Sequence, residues 1–143
     1  MNVECEFARV NSNNEEILEI LDSVKVIAML GLSPDESKAS NMVAKFLQAR
    51  GYKIVPVYPK EDTILGEKVY RSLAEIPFEI DMVDIFRKPD AFNAIADAAI
   101  ARGDVKVFWG QLGLVNNEAA QKAKDAGMKV VQNHCPKIEL QNR

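Results

Sequence analysis

Short apolar runs alternate along the chain with amphipathic stretches. Val26-Ile27-Ala28-Met29-Leu30 is an unbroken apolar run closed by Gly31. Such a run, rich in branched side chains and ended by a turn residue, predicts a strand buried on both faces. Met42, Val43, Phe46 and Leu47 then repeat at helical spacing, and Gly51 stands where a helix ends. Ile54-Val55-Pro56-Val57 predicts a second strand, weakened by Pro56, which cannot donate to a ladder. Val69 and Tyr70 suggest a short edge strand, and Ser72-Leu73-Ala74-Glu75 has capping-box form for one helical turn. Met82-Val83-Asp84-Ile85-Phe86 predicts a further strand. The clearest helix follows: Phe92, Ile95, Ala96, Ala99 and Ile100 form one stripe between Pro89 and Gly103. Val105 to Trp109 predicts another strand, and Asn116 or Asn117 caps a helix running through Lys124 to Gly127. Val130-Val131 opens a last strand, followed by a polar tail. At the front, Ser12 or Asn13 caps a short helix carrying Ile17, Leu18, Ile20 and Leu21.

Strands alternating with helices imply βαβ crossovers. The predicted fold is α/β: a three-layer, Rossmann-like, doubly wound and mostly parallel sheet with helices on both faces. A chain of 143 residues fits one domain, here residues 1–143 with a core from about 24 to 139 behind the leading helix. Ligands of such sheets bind beyond the carboxyl ends of the strands, where the strand order reverses. That rule directs attention to Gly31–Ser40, Tyr58–Asp62, Phe86–Pro89, Trp109–Leu114 and Asn133–Lys137.

Charge narrows the partners. Eighteen basic against 21 acidic residues leave a formal net charge of −3, whereas a nucleic-acid binder draws its affinity from a basic excess. The longest uncharged run, Val107 to Asn117, is far short of a membrane span, and the first residues carry no secretory pattern. Cys5 and Cys135 are too far apart to suggest a metal motif or a disulfide scaffold. The expectation is a soluble, cytoplasmic protein that binds a small molecule, with neither nucleic acid nor membrane as partner. A protein partner or a homodimer is left open.

The strand-end loops carry the candidate chemistry. Gly31 lets backbone amides approach a phosphate, and the helix start that follows adds a favourable dipole. Ser33, Ser37 and Ser40 offer hydroxyls there and Lys38 a charge; the plainer alternative is a connecting loop with Ser40 as helix cap. Neither the dinucleotide pattern Gly-x-Gly-x-x-Gly nor the P-loop is present. Beyond the second strand the first charge is Lys60, a cation where an NAD site has an acid, which suits a phosphorylated ribose as in coenzyme A or NADP. The alternative is a solvated lysine beside Glu61 and Asp62. Phe86 can flank an adenine and Arg87 can hold a phosphate bidentately, or the pair is a surface cation beside a core aromatic. Trp109-Gly110-Gln111-Leu112-Gly113 permits close backbone approach, with Trp109 itself either lining or core. His134 is the only histidine, so a multi-imidazole metal site is excluded, and no nucleophile elbow is present. No catalytic residue is assigned.

In this order, Gly31-Leu32-Ser33-Pro34, Val55-Pro56-Val57-Tyr58-Pro59, Ile64 to Tyr70 with Ser72-Leu73, Val83-Asp84-Ile85-Phe86-Arg87, Trp109 to Gly113 and Cys135-Pro136-Lys137-Ile138-Glu139 resemble the small stand-alone CoA-binding proteins of bacteria and archaea. These are similar to the N-terminal CoA-binding domain of the succinyl-CoA synthetase α subunit. The resemblance spans roughly Val24 to Glu139 and implies non-catalytic binding of CoA or an acyl-CoA. By it, Gly31, Leu32, Ser33 and the helix opening at Ser40 hold the diphosphate. Pro56, Tyr58 and Lys60 meet the 3′-phosphate side, Phe86 and Arg87 border the nucleotide, and Trp109, Gln111 and Gly113 face the pantetheine arm. Asp35 and Glu36 must then point away from the phosphates. Two other readings stay open: an NADP- or other nucleotide-dependent enzyme or redox regulator, and a thiol-linked role in which Cys135 forms a mixed disulfide with CoA.

Overall fold

The computed structural model describes residues 7–142, so Cys5 lies outside the described residues. The chain runs α1 (Asn14–Ser23), β1 (Val26–Leu30), α2 (Ala39–Ala49), β2 (Lys53–Val57), β3 (Thr63–Ile64), β4 (Glu67–Lys68), β5 (Met82–Ile85), α3 (Phe92–Arg102), β6 (Val107–Gly110), α4 (Asn117–Asp125), β7 (Lys129–Val131) and α5 (Pro136–Gln141). Strands β2-β1-β5-β6-β7 form a five-stranded sheet whose neighbours are all parallel. Its order reverses between β1 and β5, because the chain leaves β1 for β2 on one side and returns past it to β5.

Alternation along each strand sends side chains to two buried faces. Ala28, Leu30, Val55, Val83, Ile85 and Phe108 pack beneath α3 and α4. Ile27, Met29, Ile54, Met82, Trp109 and Val131 pack beneath α1, α2 and α5. Besides Phe92 and Ile95, the helices bury mostly small residues on this face: Ala96 and Ala99 from α3, and Ala119, Ala120 and Ala123 from α4. Three helix ends follow the sequence. Asn13 and Glu16 form a reciprocal capping box at α1, Asn116 accepts from the Ala119 amide at α4, and Gly103 ends α3 in the left-handed conformation.

Several expectations change. The polar tail is instead α5, whose Leu140 packs in the core beside Cys135; six residues with one apolar anchor are too few for a helical stripe to show. Val69-Tyr70 is not a strand; a two-residue hairpin, β3 with β4, precedes it, and Tyr70 makes only an isolated bridge to Val57. Ser72 makes no side-chain cap to the short 3-10 turn Leu73–Glu75, while the Glu75 carboxylate accepts from the Arg71 amide at 2.9 Å. Pro56 sits inside β2 without breaking it, because β2 is an edge strand. Ser40 does not cap α2: Lys38 holds that position, and the Ser40 hydroxyl accepts from the Ser33 amide at 3.0 Å.

The segment before α1 was not foreseen as structure. Buried Gln132 donates to the Val10 carbonyl at 2.9 Å, its backbone pairs with the Asn11 side chain, and Asn117 accepts from the Arg9 amide at 2.8 Å. These amide side chains pin the leading segment across α4 and β7. Among the described residues, no helix is long and apolar enough to cross a membrane.

Candidate functional site

At the strand-order reversal, the ends of β1 and β5 nearly touch. Gly31 carries φ of +86°, and a Cβ there would lie 2.5 Å from the Phe86 carbonyl oxygen. The Gly31 amide donates to the Val57 carbonyl at 3.0 Å and the Phe86 amide to the Leu30 carbonyl at 2.8 Å. A side chain at position 31 would therefore push apart the two strand ends that frame the site. Only glycine takes this backbone conformation at no steric cost.

Beyond Gly31, the loop is organised by its own side chains. The Ser33 hydroxyl accepts from the Asp35 amide at 3.1 Å, and the Asn41 side-chain amide donates to the Ser33 carbonyl at 2.9 Å. Both acids of the loop are turned aside. Asp35 accepts from the Ser37 hydroxyl at 2.7 Å and the Ser37 amide at 2.9 Å, which hold its carboxyl below the usual range. Glu36 pairs with Lys45 at 3.0 Å on the exposed flank of α2. The mouth of the loop is left to Lys38, Ser40 and the opening of α2, a setting that favours an anion.

Three cavities meet at Arg87. A central one of about 490 Å³ is lined by Gly31, Ser33, Lys38, Ser40, Tyr58 and Phe86 along with Arg87. A second, about 500 Å³, lies on the α2/α5 side and is largely apolar, with Val43, Leu112, Leu114, Cys135 and Ile138 beside Phe86 and Gln111. A third, about 300 Å³, lies on the α3 side among Val57, Tyr58, Leu73, Ala94 and Ile95, with Arg71 at its rim. These sizes fall in the ordinary range for small-molecule sites, roughly 300–1,000 Å³. The cleft thus has a cationic middle and an arm on each side of the sheet.

Of the residues singled out in the sequence, Gly31, Ser33, Ser40, Tyr58, Phe86 and Arg87 come together in the central cavity, and Gln111 lines the apolar arm. Lys38 joins them in the central cavity and Cys135 lines the apolar one, while the remaining residues lie elsewhere. Leu32 and Trp109 are fully buried core residues, and the Trp109 indole donates to the His134 carbonyl at 2.9 Å. Pro56 is buried within β2. Lys60 and Gly113 are exposed and line none of the three cavities; the Gly113 amide donates to the Asn133 side chain at 2.7 Å. Arg71 was missed. Its guanidinium donates to the carbonyls of Tyr58 and Lys60, each at 3.0 Å, which fixes a cation at the end of β2. No local pattern marks it, because its partners lie 13 and 11 residues earlier.

Three buried polar side chains at or near the site have atoms without partners, the first being Asn41, whose Oδ1 has none. Gln111 is 6% exposed and its Oε1 has no hydrogen bond. Asp84, between Met29 and Trp109 in the sheet register, is fully buried with both carboxyl oxygens unpartnered. Burial pushes its carboxyl well above the usual range. No group of three or more potential metal ligands occurs among the described residues.

A family model described as a CoA binding domain matches residues 25–141. The chain is 42% identical over 128 residues to the uncharacterized protein YneT of Bacillus subtilis, covering 90% of this chain and 94% of that one. It is 36% identical over 132 residues to the ADP-forming acetate–CoA ligase II subunit alpha of Pyrococcus furiosus, covering 83% of this chain but only 28% of the ligase subunit. Among solved structures, a hypothetical protein from Pyrococcus horikoshii superposes with a TM-score of 0.88 at 38% identity, covering 96% of each chain. A dinucleotide-forming acetyl-coenzyme A synthetase from Candidatus Korarchaeum cryptofilum superposes with a TM-score of 0.69 at 26% identity, over 81% of this chain and 28% of that one. Nothing in these comparisons supports the NADP alternative.

Proposed function

The chain belongs to the CoA-binding domain family, and on that premise we propose that it binds CoA or an acyl-CoA along the cleft at the carboxyl end of the sheet. The observation that carries this reading is the meeting of three cavities at Arg87. CoA has the same plan: an anionic diphosphate between an adenosine 3′-phosphate and a long, mostly apolar pantetheine arm. The diphosphate lies against Gly31, Ser33, Lys38 and the start of α2, where amides and the helix dipole oppose its charge. Arg87 supplies a bidentate donor to it. The adenosine enters the α3-side cavity, and the pantetheine runs through the apolar cavity toward Gln111.

This reading moves the 3′-phosphate contact from Lys60 to Arg71. A guanidinium already held by two carbonyls loses little freedom on meeting a phosphate, whereas the Lys60 ammonium stands outside the cavities. Calorimetry with CoA, dephospho-CoA and adenosine 3′,5′-bisphosphate tests both points. CoA binding more tightly than dephospho-CoA, with the preference reduced about tenfold in Arg71→Gln and less in Lys60→Gln, is the expected result. Equal affinity for CoA and dephospho-CoA would remove the 3′-phosphate assignment, and absence of binding by all three would remove the CoA reading.

A further inference from the structure

The lining of the apolar cavity includes a thiol. Cys135 follows β7, is 6% exposed, and lines that cavity with Phe86, Gln111 and Leu112. It is the one cysteine among the described residues and is unpaired. A cysteine alone would carry nothing, but Gln111 in the same lining is also 6% exposed and leaves Oε1 without a partner. A buried amide oxygen without a partner is costly, and a ligand bringing an N–H into the cavity relieves that cost. Pantetheine carries two amide N–H groups along its length and ends in a thiol.

The reach also fits. β1 and β7 are three strand spacings apart in the sheet order β1-β5-β6-β7, or about 14 Å at about 4.8 Å per spacing. The arm from diphosphate to sulfur is a chain of about twelve bonds, equivalent to four extended residues and so about 14 Å long. A CoA whose diphosphate sits at Gly31 therefore brings its sulfur to the neighbourhood of Cys135, within a cavity of mainly apolar walls.

We propose that Cys135 is a thiol–disulfide exchange site for CoA, an inference that rests on the CoA reading above. The co-reactant is the symmetrical disulfide of CoA. Cys135 gives its thiol proton to solvent, and the thiolate attacks one sulfur of the bound disulfide. The new bond joins Cys135 to one CoA, the original S–S bond breaks, and the second CoA leaves as a thiolate that takes up a proton. No further oxidant is consumed, and an added thiol reverses the step. The protein would then hold CoA in two forms, bound reversibly when reduced and tethered when CoA is oxidised.

The test uses the full chain carrying Cys5→Ser, so that Cys135 is the only thiol. The reduced protein is incubated with micromolar CoA disulfide or glutathione disulfide and quenched in acid. The adduct is followed by intact mass and located by peptide fragmentation, and binding of reduced CoA is measured on the same sample by calorimetry. The expected result is one CoA on Cys135, removed by dithiothreitol. It should form at least about tenfold faster than the glutathione adduct, because binding raises the effective disulfide concentration at the thiol. It should also be slowed by adenosine 3′,5′-bisphosphate. Equal rates with both disulfides would reduce Cys135 to a merely accessible thiol and overturn the proposal. Binding of reduced CoA without any adduct would overturn it while leaving the CoA reading intact. Absence of both would end both.

Discussion

One aspartate immediately precedes strand β5 and another lies near its end, and the two are treated in opposite ways. Asp81, at the amino end of the sheet, accepts from the amides of Lys25 and Val26 at 2.9 Å each, and its own carbonyl takes the Lys106 and Val107 amides. Asp84, three residues later and toward the other end, is fully buried, and neither of its carboxyl oxygens makes a hydrogen bond to another side chain. The amino edge satisfies its backbone with a carboxylate. The carboxyl edge instead holds a crowded glycine, the cations Lys38, Arg71 and Arg87, and an unpartnered Gln111. One edge of the sheet is finished, while the other keeps polar capacity for something that arrives from outside.

That contrast can be broken most severely at Gly31. Gly31→Ala should cost about 3 kcal/mol in urea unfolding, combining a left-handed backbone with a Cβ driven into the Phe86 carbonyl, and it should abolish CoA binding. Gly113→Ala is the control: φ is +85° but nothing lies within 4 Å of the added carbon, so only about 1 kcal/mol should be lost. Similar costs at both sites would show that backbone conformation, not the close approach of β1 and β5, sets the penalty.

At the finished edge, Asp81→Ala removes the acceptor of two backbone amides and should cost about 2 kcal/mol, with CoA affinity changed less than about twofold, since the site is at the opposite end. A large loss of affinity would mean that the two edges are coupled through β5. The converse is Arg87→Gln, which should weaken CoA by about tenfold, about 1.4 kcal/mol, and alter stability by less than about 0.5 kcal/mol, because Arg87 is exposed.

The last effect is a slope. Because the folded-state pKa of Asp84 is raised, the folded protein holds this proton at pH values where the unfolded chain has released it. Its contribution to stability is present below the ordinary aspartate range and is lost as pH rises from there to the folded pKa. Urea unfolding between pH 4 and 8 should therefore show Asp84→Asn gaining on the parent protein as pH rises. A difference independent of pH would show that Asp84 is not the group responsible.

The α/β class, the position of the switch at Gly31 and Phe86, and the cavity-lining residues Ser33, Lys38, Ser40, Tyr58 and Arg87 were named from residue pattern and resemblance, because strand ends are marked locally by an apolar run meeting glycine or charge. Trp109 and Leu32 are adjacent in sequence to strand-end residues but turn into the core. Period-two alternation allows either face, and the face is chosen by the helices packed over it. Lys60 was named and Arg71 was not, because Lys60 stands directly after a strand while Arg71 comes back to that strand through the β3–β4 hairpin.

Local pattern thus sufficed for most of the elements and for the strand-end loops that border the cleft, since periodicity, caps and turn residues act over a few neighbouring positions. The helix α5, the Gln132 and Asn117 clamp on the leading segment, the gathering of three cavities at Arg87 and the placing of Cys135 and Gln111 in one cavity lining came only with the folded chain. Each depends on contacts between residues distant in sequence, whose geometry is set when the strands take their order in the sheet.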